Sequence, residues 1–217
     1  MATRWYLPSD TLATPISPSA DAAWEDTSIL TRTTAPTTPR SSAMTTVAFT
    51  DADDTAKDVL FKQSISAELT AGQTITGAQA IKFQLLAEEG ATSGNMRTAL
   101  GIRIIASDGS TVRKTVLVVT QDGLELSAIE LTNRQFTATS AAGNYTTVAG
   151  DYFVIEVGTG GNPGAGGNHN SNIRLGDAAA SDLAEDDTTT TDNNPWVQLT
   201  DTLTFVTTDT LFAQALL

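Results

Sequence analysis

Residues 96–120, MRTALGIRIIASDGSTVRKTVLVVT, decide the fold class. Asp108-Gly109 lies between two runs rich in β-branched residues, and this pair supplies the positive φ angles of a tight hairpin turn. On the first run Leu100, Ile102 and Ile104 recur with a period of two and share a face, while Arg97 and Arg103 fall on the other. The return run, Thr111 to Thr120, contains Val116-Leu117-Val118-Val119. Local chemistry alone predicts two antiparallel strands here.

The same signals recur in both directions. Upstream, strands are expected over Ser42–Phe49 and Val59–Ile65. A long one follows over Thr74–Leu86, where Ile81, Phe83 and Leu85 alternate. Downstream, Tyr152–Val157 reads as a central strand, Asn172–Gly176 as a short one, and Pro195–Leu199 closes the core. Leu124–Thr132 fits either a short helix or a strand. Gly158–Gly167, with six glycines in ten residues, reads as a flexible hairpin loop. The 37 threonines exceed all 25 acidic residues; a β-branched polar residue suits the wet face of a pleated strand. About eight to ten short strands with little helix predict an all-β antiparallel sandwich. The long middle strands favour a jelly roll over an immunoglobulin-like domain, whose Cys–Trp–Cys pattern is absent from a chain without cysteine.

The ends differ from the middle. Five of the seven prolines precede residue 40, so 1–41 reads as an extended N-terminal arm, with the sandwich at 42–199 and an apolar C-terminal segment at 200–217. Trp5, Tyr6, Leu7 and Trp24 are apolar groups in a polar arm, expected to pin it to the domain or to a neighbouring subunit. Leu211, Phe212, Leu216 and Leu217 make the last residues costly to expose, so they are expected to pack on the sandwich or to dock on a partner.

Catalytic chemistry finds little purchase. The one histidine, His169, lies in a Gly/Asn-rich stretch without a Gly-x-Ser-x-Gly elbow. The glycine run is followed by no lysine and no helix, which is unlike a phosphate loop. Asp177, Asp182, Glu185, Asp186 and Asp187 offer oxygen ligands for Ca²⁺, but not at EF-hand spacing; no other cofactor is expected. The net charge of −13 repels nucleic-acid phosphates. No apolar run approaches the roughly 20 residues that span a bilayer, and Met1–Trp5 opens no signal-peptide core, so synthesis in a cytoplasm is expected.

The chain resembles a family of uncharacterised bacteriophage and prophage virion structural proteins. The resemblance rests on Arg4-Trp5-Tyr6-Leu7-Pro8-Ser9 with Pro18, Asp21 and Trp24, and on Asn95-Met96-Arg97 and Asp108–Arg113. It continues through Ile173–Asp177, Asp182–Asp186, Thr188–Thr190 and Asn194–Val197. The chain departs from that pattern at Ala184, where proline is common, and in its apolar end. The resemblance implies a virion component partnered by copies of itself and by other virion proteins such as the major capsid protein, and it brings no catalytic residues. Within that class a capsid decoration (cement) protein is expected, attached by strand addition or arm exchange. A tail or baseplate component and a carbohydrate-binding module for host attachment are the alternatives.

Overall fold

The computed structural model describes residues 2–51, 57–90, 95–126, 132–161, 169–185 and 194–206. Among them are thirteen strands and no helix: β1 Thr3–Tyr6, β2 Thr31–Thr34, β3 Thr45–Asp51, β4 Asp58–Ile65, β5 Thr74–Ile75, β6 Ala80–Glu89, β7 Met96–Ala106, β8 Val112–Gln121, β9 Thr132–Thr139, β10 Tyr145–Thr146, β11 Asp151–Gly161, β12 His169–Leu175 and β13 Trp196–Leu199.

The hairpin forms as its sequence requires. Gly109 adopts φ 71°. The Asp108 carboxylate accepts the N–H groups of Ser110 and Thr111, each at 2.8 Å, and the Thr111 hydroxyl. These hydrogen bonds, the Thr111 hydroxyl foremost, hold the Asp108 carboxyl well below the usual carboxylate range.

Two sheets face each other. One runs β1-β13-β6-β12-β3, with β9 on the far side of β6; the other runs β2-β4-β11-β7-β8. The first is organised by β6. It pairs with β9 along one edge, and along the other with β13 through Ile81–Gln84 and then β12 through Leu86–Glu89. Every sheet pairing is antiparallel except that of β2 with β4. Eight of these strands divide as β3-β12-β6-β9 against β4-β11-β7-β8, the chain changing sheet at every step but β7 to β8, an order compatible with the jelly roll. The registers bring Asp51, Glu89, Met96, Gln121, Gly161 and His169 to one end of the sandwich. The connections 66–79, 107–111 and 140–150 gather at the other.

Inward positions at period two build one continuous core: Val59 and Phe61 from β4, Phe83 and Leu85 from β6, Leu100, Ile102 and Ile104 from β7, Phe153, Ile155 and Val157 from β11. Phe83 meets Phe136 edge-on at 6.5 Å.

Three strand expectations change. The stretch Thr74–Leu86 is interrupted: β5 leaves to pair with β10, and the chain turns at Gly77 and Ala78 (φ 55°) before β6. A Cβ on Gly77 would overlap the Gly143 backbone, so this crossing requires glycine. The expected element at Leu124–Thr132 is not seen in its described part; the strand is β9, beginning at Thr132. The glycine run Gly158–Gly167 is strand as far as Gly161, and His169 opens β12 rather than lying in a loop; 162–168 lies outside the described residues.

Candidate functional site

The chain before β3 is the feature that distinguishes this sandwich. It enters as β1 in one sheet, crosses the outer face of the other, and returns as β2 beside β4. We call this segment the clasp. Its chemistry is set by the outward side chains of β4, β11 and β7. Val154 stands beside Ile65 and Arg103, and Glu156 beside Gln63 and Gly101.

At one end of the crossing Ile16 packs on Ile65, Ile105 and Val154. Further on, Trp24 lies on Leu60 and Ala99. The ring fits because Gly158 carries no side chain: a Cβ there would lie 2.9 Å from the indole and would overlap the Val59 carbonyl.

Between these apolar contacts lies a buried polar cluster. Glu156 is fully buried. Its carboxylate accepts Arg103 Nη2 at 2.6 Å, Gln63 Nε2 at 2.9 Å, the Asp21 N–H at 3.1 Å and Trp24 Nε1 at 3.2 Å. Arg103 also donates to the Ser19 carbonyl at 2.8 Å and lies 3.5 Å from the Asp21 carboxylate. Arg32 joins the Gln63 side-chain carbonyl to the Pro18 carbonyl. Two partners of Glu156 are clasp atoms, so the buried charge is satisfied only with the clasp in place. A buried ion pair adds little net stability, but it penalises any docking that leaves it unpaired.

A second anchor lies at the β2 edge. Lys62 pairs in register with Val157, whose side chain is in the core, so it points between the sheets. Its ammonium donates to the carbonyls of Asp10 at 2.7 Å and Ser9 at 3.3 Å. Burial pushes Lys62 down to about 8, against the opposing pull of Asp10. The Asp10 carboxylate accepts Thr33 Oγ1 at 2.6 Å and Arg40 Nη2 at 2.8 Å.

Part of the outer face of the first sheet, around Trp196, is covered too. Arg4 lies 3.6 Å over the Trp196 ring and donates to Asp182 at 2.9 Å and Glu185 at 3.1 Å. Trp196 Nε1 donates to the Leu183 carbonyl at 2.8 Å, and Lys82 holds Glu185 at 2.7 Å. Tyr6, Leu86, Leu183 and Trp196 pack together beneath. Burial, then the Asp182 hydrogen bond, pushes the Tyr6 phenol up to about 12.

The apolar residues of the arm, expected to pin it to the domain or to a neighbouring subunit, are enclosed by their own chain. Trp5 and Leu7 are core residues, with Phe153 4.9 Å from Trp5, while Tyr6 and Trp24 are buried against the two outer faces. Leu211, Phe212, Leu216 and Leu217 lie outside the described residues. Three of the five candidate Ca²⁺ ligands have partners of their own. Asp177 accepts the N–H groups of Ala179 and Ser181 in a local turn, and Asp182 and Glu185 hold Arg4. Asp186 and Asp187 lie outside the described residues, among which no three acidic or histidine side chains converge on a metal position. Sequence reading missed Glu156, Gln63 and Lys62 as a group. The available signal was a charged or amide residue inside each of two strongly apolar strands.

No family model matches the chain, and no curated protein matches it. Among solved structures it is similar to the infectious bursal disease virus VP2 subviral particle, at 16% identity and TM-score 0.27 over 73% of this chain and 40% of that one. It is also similar to the infectious bursal disease virus Gx strain structure, at 13% identity and TM-score 0.25 over 81% of this chain and 48% of that one. A third is the infectious bursal virus-derived T=1 particle, at 15% identity and TM-score 0.28 over 79% and 39%. The chain thus spans less than half the length of each of these viral chains, and superpositions this loose carry no argument.

Proposed function

We propose that this protein is a bacteriophage virion structural protein, assembling in many copies as a capsid decoration (cement) protein, and that it is not an enzyme. The observation that carries the reading is the clasp. The chain covers part of each outer face of its own sandwich, with Trp24, Ile16 and Pro18–Asp21 over one and Arg4 and Asp182–Glu185 over the other. A sandwich covered in this way leaves its strand edges and its ends to partners. That suits a subunit held between identical neighbours on a shell. The sequence resemblance to virion proteins supports the same reading, as does the acidic surface, which keeps copies soluble at high local concentration.

In this role the partners are further copies of the chain and the major capsid protein, the location is the virion after synthesis in the host cytoplasm, and no metal or cofactor takes part. Arm exchange becomes the less suitable mode of attachment. The arm is tied at both ends, and its withdrawal exposes Trp5, Leu7 and Trp24 together, at about 2–3 kcal/mol for each large apolar side chain.

Mass spectrometry of purified phage particles should detect the chain in stoichiometric amounts, and electron microscopy should place it on the shell. Density at the tail or baseplate instead would move it to that structure, and its absence from particles would overturn the reading. Specific binding on a glycan array by the chain alone would favour a carbohydrate-binding module.

A further inference from the structure

We infer that the edge of β3 that no described residue pairs takes up the segment 207–217 of a second copy of the chain as an added strand. The inference deepens the assembly reading and rests on it for its partner.

The strand edges of the two sheets are not equivalent. A free edge directs every second N–H and C=O outward, and proteins blunt such edges with bulges, charge or brevity. The edge at β8 is blunted three ways. It carries Arg113 and Lys114, its register with β7 shifts three times, and Ala141 caps the Val116 carbonyl. β1 and β2 are four residues each. β9 carries Arg134, held by Asp122. β3 has none of these devices. Its seven residues pair with β12 in unbroken register, no charge occurs between Thr45 and Thr50, and Thr45, Thr46 and Ala48 are exposed. No described residue pairs with its other side.

Charge and reach select the occupant. Copies of a chain with net charge −13 repel one another, which favours association through segments that carry little charge. Segment 207–217, TTDTLFAQALL, has one charged side chain, Asp209, and six apolar residues in eleven. Its own β3 can be met only by the last few residues of the segment. Val206 donates to the Glu68 carbonyl at the end of the sandwich where 66–79 and 140–150 gather. The registers set Thr46 level with Leu86, six residues up β6 from Ala80. That height is about 20 Å, and the facing sheets add roughly 10 Å of crossing. At extended-chain reach that path takes about eight or nine of the eleven residues, leaving about two or three to pair along β3. A neighbouring copy escapes this limit.

The test uses the full chain, a chain ending at Val206, and a labelled peptide of residues 207–217. Sedimentation should show concentration-dependent self-association of the full chain and a monomer for the shortened one. The peptide should bind the shortened chain, and Ala48→Lys, an exposed substitution checked for unchanged melting, should weaken that binding about tenfold or more, the size of a 1.4 kcal/mol loss. A full chain that stays monomeric overturns the inference. If the peptide still binds the shortened chain, the edge is filled by the chain's own segment. Peptide binding indifferent to Ala48→Lys overturns it as well. Either failure in a chain that is present in particles leaves the assembly reading standing. Self-association through β3 in a chain absent from particles overturns that reading alone.

Discussion

Glu156 concentrates the energetics of the clasp in one side chain. It is fully buried and holds Arg103, Gln63 and two clasp donors. Glu156→Ala strands the Arg103 guanidinium and should cost about 3–5 kcal/mol in urea unfolding. The double replacement Glu156→Leu with Arg103→Met should recover most of that loss, because it removes both charges and keeps the volume. Lys62 makes a pH prediction. Its folded-state value, about 8, lies below its ordinary 10.5, so above pH 8 the unfolded chain binds more protons than the folded one. Stability should therefore rise from pH 8 towards 10. Above 10 the trend reverses, because Tyr6 and Tyr145, both pushed up to about 12 by burial and by carboxylate hydrogen bonds, hold protons that the unfolded chain releases. Urea midpoints across this range check both slopes, and Lys62→Met should abolish the rise while leaving the fall.

The elements differ in how much of each could be read from local sequence. The β7–β8 hairpin was legible because its turn, Asp108-Gly109, and both alternating runs are contiguous in the chain. β11 was placed correctly at its start but not at its end. Gly158 and Gly160 read as loop residues, yet they are strand positions left bare so that Trp24 and the Asp58 and Gln121 side chains approach the backbone. Gly158→Ala should accordingly destabilise the fold and displace Trp24, seen as a change in tryptophan emission. β9 escaped notice because only Phe136 and Ala138 mark its inward face, and its place beside β6 is a long-range pairing. The clasp elements bear a direct test. Trp5→Ala leaves a core cavity and should cost about 3–5 kcal/mol. Trp24→Phe retains most of the buried ring and loses only the Nε1 hydrogen bond to Glu156, so it should cost about 1.5–3 kcal/mol, the range for bonds to charged groups.

For the molecule as a whole, contacts are densest where β11 is flanked by β4 and β7. Amide hydrogen exchange should be slowest there and fastest along β3, whose outer edge has no described partner. The sequence by itself determined the all-β class, the antiparallel hairpin, most strand positions and the proline-rich character of the opening segment. All of these follow from side-chain alternation and turn chemistry, which act over a few residues. Only the tertiary structure decided that Trp5 and Trp24 face inward, that Asp182 and Glu185 serve Arg4, and that Glu156 closes a clasp. Each of those outcomes depends on groups more than a hundred residues apart meeting across a sheet, and periodicity along the chain carries no record of which distant backbone will cover an outward face.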